Sequence, residues 1–205
     1  MYAVGVPSLR QSGTICIRKE AAMTAQPAPL RALGISGSPS ANSRSRILVE
    51  RTLVRLAELQ VATELLDLSD LPAEALLARR QDPSVEAAIQ RSATANILIL
   101  GTPVYRASYA GQLKAFFDLF PQDALRGTVT GLIATGAGLA HALVADHALR
   151  PLVASLRGLS ASQALYIVDA QFPEKTQIPD AVEAQISALA AELYTLGRAL
   201  AWGKA

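Results

Sequence analysis

The stretch Asn96-Ile-Leu-Ile-Leu-Gly-Thr102 decides the fold of this chain. Its centre is apolar without interruption, which is typical of a strand that is covered on both faces of a parallel sheet. Outward from it, strand-like and helix-like segments alternate along residues 30–205. This alternation predicts an α/β domain with a parallel sheet and helices on both of its faces.

The spacing of apolar residues places the other elements. Four further strands are predicted at 30–36, 61–67, 128–134 and 160–168. Five helices are predicted at 45–59, 83–94, 109–119, 139–156 and 180–202. Asp82 is expected to cap the second of these helices, because Pro83 suits the first helical turn.

The charge and residue composition of the chain argue against several classes of protein. The formal net charge of +2 arises within residues 1–29, and residues 30–205 are neutral overall, which argues against a nucleic-acid partner. One cysteine and two histidines give neither a disulfide framework nor a recognisable zinc cluster, so we expect no metal and a reducing, cytoplasmic setting. Glycines and threonines interrupt the uncharged run 127–145, so no membrane span is expected there.

Residues 1–29 show no convincing periodicity and carry charges at positions 18–20, unlike a signal peptide. We expect a disordered N-terminal extension, with Met23 as an alternative start. Residues 30–205 are expected to form one domain.

The loop after the first strand reads Gly37-Ser-Pro-Ser-Ala-Asn-Ser-Arg-Ser. Ligands of such sheets bind beyond the carboxyl ends of the strands. The hydroxyls of Ser38, Ser43 and Ser45 can donate to phosphate oxygens at the start of a helix, and Arg44 can add a charge-assisted pair. This predicts a site for a terminal phosphate, although loop serines beside an ordinary helix cap remain the alternative. Neither a Walker loop nor Gly-x-Gly-x-x-Gly is present.

Two further motifs follow in order. Residues 101–118 read Gly-Thr-Pro-Val-Tyr-Arg-Ala-Ser-Tyr-Ala-Gly-Gln-Leu-Lys-Ala-Phe-Phe-Asp, and residues 134–141 read Ala-Thr-Gly-Ala-Gly-Leu-Ala-His. Together with the serine-rich loop, over about residues 30–170, the chain resembles the NAD(P)H-dependent FMN reductases of the flavodoxin-like fold. Within them it is similar to the branch that supplies reduced FMN to alkanesulfonate and related two-component monooxygenases.

The resemblance implies a three-layer sandwich with a five-stranded parallel sheet in the order 2-1-3-4-5. It implies FMN and NADPH or NADH as cofactors, and an FMNH2-dependent monooxygenase of sulfonate or sulfur assimilation as partner. Hydride transfer would need no catalytic side chain, because the cofactors carry the chemistry. Phosphate contacts are expected from Ser38, Ser43, Arg44 and Ser45. Ring contacts are expected from Pro103, Val104, Tyr105, Arg106, Thr135, Gly136 and Gly138.

Tyr109 falls where the sulfonate branch carries an extra residue that makes a π-bulge at the start of a helix, at the subunit contact. The alternative is an ordinary tyrosine at a helix entry. The apolar face around Phe116, Phe117 and Phe120 exceeds what one short helix needs against a sheet. The resemblance implies a homotetramer, or at least a dimer, built on helix 109–119, and such an apolar face agrees with that expectation.

Three other functions stay open at this point. The first is a quinone, azo-dye or metal-oxyanion reductase with permanently bound FMN. The second is a flavodoxin-like electron carrier, although such carriers are usually acidic and residues 30–205 are neutral overall. The third is a non-enzymatic nucleotide-binding or structural module. The residues do not distinguish NADPH from NADH.

Overall fold

A computed structural model describes residues 29–174 and 177–202. Apart from residue 29, the predicted extension lies outside the described residues. Within them, six strands form one sheet: β1 (Arg31–Ser36), β2 (Ala62–Asp67), β3 (Ile97–Tyr105), β4 (Ser108–Tyr109), β5 (Val129–Gly136) and β6 (Leu159–Val168). The five long strands are parallel in the order β2-β1-β3-β5-β6, which confirms the predicted 2-1-3-4-5 order. The added strand β4 pairs antiparallel with the end of β3.

The α-helices are α1 (Arg44–Glu58), α2 (Ala73–Leu76), α3 (Pro83–Thr94), α4 (Gly111–Phe117), α5 (Arg150–Ser155) and α6 (Asp180–Trp202). Helix α6 has the predicted bounds. The predicted cap of α3 is also confirmed, because the Asp82 carboxylate accepts a hydrogen bond from the Ser84 amide at 3.0 Å. Short 3-10 turns lie at Leu68–Asp70, Leu139–His141 and Asp169–Gln171.

Two apolar clusters cover the sheet, one on each face. Leu98 and Leu100 of β3 contribute to a cluster with α3, α4 and α5, whereas Ile97 and Ile99 contribute to a cluster with α1 and α6. Every residue of β5 is buried. Burial on both faces explains why the central strand is apolar at consecutive positions rather than at alternate ones.

The predicted continuous helix 139–156 is wrong. The segment is divided into the 3-10 turn Leu139–His141, a π-helical turn at Ala145–Leu149, and α5. Pro151, in the first turn of α5, accounts for the π-helical turn just before it, because proline has no amide hydrogen to bond a carbonyl of that turn.

The predicted helix 109–119 is wrong at its beginning, because α4 starts at Gly111 and Tyr109 belongs to β4. Phe116 and Phe117 of α4, and Phe120 just beyond it, are buried inside the subunit. Phe116 lies edge-on to Phe117 and to Phe120, with ring centroids 5.6 and 5.1 Å apart. These rings are therefore core residues, and the apolar face that suggested an oligomer on this helix is satisfied internally.

None of the helices in the described ranges is long and apolar enough to cross a membrane. Among the same residues, no cluster of three or more histidine, cysteine, aspartate or glutamate side chains could hold a metal ion.

Candidate functional site

The three loops that the sequence singles out meet at one edge of the sheet. Ser36, at the end of β1, is in register with Gly101 of β3, and Pro103 of β3 is in register with Thr135 of β5. The Gly37 amide donates to the Gly101 carbonyl at 2.7 Å and fastens the first loop to the central strand. The carboxyl ends of β1, β3 and β5 thus form one composite rim, as parallel topology requires.

The first loop ends in an uncapped helix start. Ser43 has the extended backbone of an N-cap residue, but its side chain makes no capping hydrogen bond. Instead, the hydroxyls of Ser43 and Ser45 bond to each other at 2.7 Å. The amides of the first turn of α1 and the positive end of its dipole are therefore left for another acceptor.

Ser38 shapes the turn of the same loop. Its buried hydroxyl accepts a hydrogen bond from the Ser40 amide at 3.1 Å, which leaves the hydroxyl hydrogen free to donate. Its carbonyl accepts from the Gln112 side chain at 3.1 Å. Gln112, at the start of α4, thus ties the first loop to the second, a contact that no local motif indicates.

Arg44 reaches across the rim to the loop after β6. Its Nη1 lies 3.2 Å from a carboxylate oxygen of Asp169, and its guanidinium carbon lies 5.5 Å from the centre of the Phe172 ring. The Arg44 Nε is buried and has no hydrogen-bond partner among the described residues. A buried donor without an acceptor is costly, so this atom is suited to an incoming anion.

The second loop is a β-hairpin rather than a helix entry. Val104 pairs with Tyr109 and Tyr105 with Ser108, across a turn of Arg106 and Ala107. Both turn residues have left-handed backbones, with φ of 51° and 62°. Two consecutive positive φ values are typical of a type I′ turn, whose twist matches that of the paired strands. The pairing therefore keeps Tyr109 in an extended conformation, so the predicted π-bulge does not lie at this residue.

Thr102 closes this hairpin at its base. Its fully buried hydroxyl accepts from the Ala110 amide at 2.9 Å and donates to the Pro103 carbonyl at 2.9 Å. Burial raises the pKa of Tyr109. The positive charge of Lys114 lowers this pKa in part, and the negative charge of Asp118 raises it further. The tyrosine therefore stays protonated near neutral pH.

The hairpin presents Tyr105 and Arg106 outward. Tyr105 is 50% exposed and Arg106 is exposed, whereas Pro103 and Val104 are half-buried. An exposed aromatic ring beside half-buried apolar side chains offers a wall for a flat ligand.

The third loop is packed closely on Tyr166 of β6. A Cβ atom on Gly136 would collide with the Tyr166 hydroxyl, which donates to the Gly138 carbonyl at 2.7 Å. Burial, and then the charge of Asp169, raises the pKa of Tyr166, so its hydroxyl keeps the donated hydrogen. A Cβ on Gly138, by contrast, would meet no atom within 4 Å. Thr135 is buried and Gly138 is half-buried.

These features suit the two ends of a flavin mononucleotide. The uncapped start of α1, two serine hydroxyls and the buried Arg44 Nε fit a phosphate group. The hairpin and the glycine-containing third loop bring backbone groups and an aromatic side chain to the same rim, as a flat heteroaromatic ring requires.

A five-stranded parallel sheet in the order 2-1-3-4-5, with an anion-suited loop at its switch point, defines a flavodoxin-like protein. Within that class, the chain belongs to the NADPH-dependent FMN reductase family, whose model matches residues 30–173.

Individual proteins agree with this assignment. The chain is 39% identical to an FMN reductase (NADPH) of Pseudomonas putida, over 82% of this chain and 87% of the relative. It is 37% identical to the NADH-dependent FMN reductase SfnF of Pseudomonas fluorescens, over 80% of this chain and 89% of the relative. Among solved structures, the apo form of NADH:FMN oxidoreductase (EMOB) superposes with a TM-score of 0.73 at 31% identity, covering 81% of this chain and 89% of that one.

The protein is therefore an oxidoreductase that acts on NAD(P)H and FMN. Side chains that sequence reasoning missed support its rim: Thr102, Gln112, Tyr166, Asp169 and Phe172. Thr102 contacts only its own hairpin, whereas the contacts of the other four join separate segments of the chain, so no local motif could have indicated those four.

Proposed function

We propose that FMN binds at this rim with its phosphate at the start of α1 and its ring against the second and third loops. The observation that carries the proposal is the buried Arg44 Nε, which has no hydrogen-bond partner within residues 29–174 and 177–202, beside a helix start that Ser43 does not cap. The phosphate contacts proposed are those of Ser38, Ser43, Arg44 and Ser45. The ring contacts proposed are those of Pro103, Val104, Tyr105, Arg106, Thr135, Gly136 and Gly138.

When bound, FMN supplies the acceptor of the hydride that NADPH or NADH provides. The chain orients the reactants and supplies fixed dipoles. Thr102 holds the hairpin through two hydrogen bonds, and Tyr166 holds the third loop through one. With FMN bound, backbone amides of loops fixed in this way would stabilise negative charge on the ring.

We further propose that the reduced FMN leaves the protein and serves a two-component monooxygenase of sulfonate or sulfur assimilation. The motif resemblance to that branch supports this role. So does the openness of the rim, where Tyr105 and Arg106 are exposed and the ion pair of Arg44 is partly solvated.

Steady-state oxidation of NADPH and of NADH, with and without added FMN, tests the reaction. We expect turnover to depend on added FMN. In an anaerobic incubation with sufficient NADPH or NADH, we expect all of the FMN to be reduced even when it is in large molar excess over the protein. Reduction of only one flavin per subunit, with flavin retained on a desalting column, would instead indicate a reductase with permanently bound FMN. Flavin binding without oxidation of either nucleotide would indicate an electron carrier.

The homotetramer, or dimer, is proposed on the family resemblance alone, since the phenylalanines of α4 are buried within the subunit. Light scattering at micromolar concentration tests it. A monomeric mass, with full FMN reductase activity, would contradict the proposed assembly and leave the proposed reaction intact.

A further inference from the structure

Asp169 follows β6 directly and lies outside the three motif loops. Among the described residues, Arg44 is the partner that its carboxylate contacts, at 3.2 Å. The Asp169 side chain is 42% exposed. A single ion-pair contact with a carboxylate so exposed is weak, because water competes for both charges.

The other arginine of the same helix turn is fully engaged. Arg46 donates to Glu50 at 2.8 Å and to Asp67 at 2.7 Å, and the Asp67 side chain is almost wholly buried. The guanidinium that can turn to a new anion at this helix start is therefore that of Arg44. Phe172 supports the guanidinium from below, independently of the carboxylate.

We infer that Asp169 is a positioning residue that competes with the phosphate of FMN for Arg44 and thereby weakens FMN binding. The inference rests on the proposed function, in which Arg44 binds that phosphate. The Asp169 carboxylate holds Nη1 of Arg44 and offsets part of the guanidinium charge, so a phosphate that binds at Nε meets a weaker attraction. The weaker binding that results suits a flavin that must dissociate after each reduction.

Replacement of the carboxylate by an amide isolates this effect. In Asp169→Asn, we expect the Kd for oxidised FMN to fall about three- to tenfold, and the Kd for riboflavin, which has no phosphate, to stay within about twofold. Quenching of flavin fluorescence measures both. The gain for FMN should shrink as salt is raised, because screening weakens the competition.

Asp123→Asn is the matched control. Asp123 is also ion-paired, with Arg157 at 2.6 Å and Arg126 at 2.9 Å, but it precedes β5 at the opposite edge of the sheet. The Asp123→Asn variant should bind FMN and riboflavin with unchanged affinities. Asp169→Ser provides a second variant of the test residue, and matching thermal melts establish that each variant is folded.

Variants of Arg44 separate the inference from the proposed function. In an Arg44→Ala background, the effect of Asp169→Asn on FMN should drop below about twofold. An undiminished effect there, or unchanged or weaker FMN binding in both Asp169 variants, overturns the inference. The proposed phosphate site itself fails if Arg44→Ala weakens FMN and riboflavin equally.

Discussion

The loop after β1 and the hairpin that extends β3 build the two ends of the same rim by different means. The first presents serine hydroxyls and a guanidinium at the start of α1, so its chemistry resides in side chains. The hairpin presents a strained backbone turn at Arg106 and Ala107, fastened by one buried threonine hydroxyl.

This difference shows which kind of binding site can be recognised from an amino-acid sequence. Side-chain chemistry is visible wherever serine, asparagine and arginine cluster before a helix. Backbone geometry is visible only where glycine, asparagine or proline marks it, and neither Arg106 nor Ala107 is typical of a type I′ turn. Substitutions at each end should therefore give different signatures with FMN and riboflavin.

Gly101→Ala should disturb both ends of the rim at once and give the largest effect of the variants described here, a loss of stability. The new methyl group would collide with the Val49 side chain and lie 2.9 Å from the Ser45 carbonyl, so α1 must shift away from β3. We expect the free energy of unfolding to fall by about 3 kcal/mol in urea denaturation. Gly111→Ala is the control, because a Cβ there meets no atom within 4 Å, and a comparable loss in that variant would contradict the explanation.

Arg44→Ala should affect the phosphate end alone. Loss of a charge-assisted contact should weaken FMN binding about tenfold to a hundredfold and leave riboflavin binding unchanged. Titrations that follow flavin fluorescence measure both constants, and Arg55→Ala, on the same helix, serves as a control far from its start. Equal losses for the two flavins would mean that Arg44 acts only on the structure of the loop.

Thr102→Val should affect the hairpin end alone. Valine keeps the shape of the side chain but leaves the buried Ala110 amide without its acceptor, which should lower the free energy of unfolding by about 1–2 kcal/mol. FMN and riboflavin should be weakened to the same extent, since both share the ring.

Thr128→Val is the matched control for Thr102. Its buried hydroxyl donates to the Ala95 carbonyl at 2.9 Å, ahead of β5 at the far edge of the sheet. This variant should lose stability without a change in flavin affinity. If it weakened flavin binding as much as Thr102→Val does, the role assigned to the hairpin would be wrong.

Ala107→Gly should give the smallest effect and act in the opposite direction. Glycine adopts a positive φ without the steric cost that alanine incurs, so the free energy of unfolding should rise by about 0.5–1 kcal/mol. FMN affinity should stay within about twofold, because the turn keeps its shape. Ala78→Gly, at a φ of 57°, should give a similar gain in the melting temperature, and a loss in both variants would refute the argument from strain.

Sequence reasoning succeeded where the physics is local or periodic. Burial of β3 on both faces produces its apolar run, and the cap of α3 needs only Asp82 and its neighbours. It failed at Tyr109, because pairing with Val104 across the hairpin overrides helical periodicity. It also failed in 139–156, where a π-helical turn forms just before Pro151. The contacts of Arg44 with Asp169, 125 positions along the chain, depend on sheet order and cannot be inferred from spacing.

Burial of residues 97–102 of β3 and of all of β5 has a consequence for the exchange of their amide hydrogens. Their amides can exchange only when the sheet opens as a whole, whereas β2, whose first three residues are exposed, can fray at its edge. The second and third loops are anchored to those two slowly exchanging strands. Partial opening at the edges of the sheet should therefore leave the ring end of the rim in place. In hydrogen–deuterium exchange, the amides of β3 and β5 should be the last to exchange.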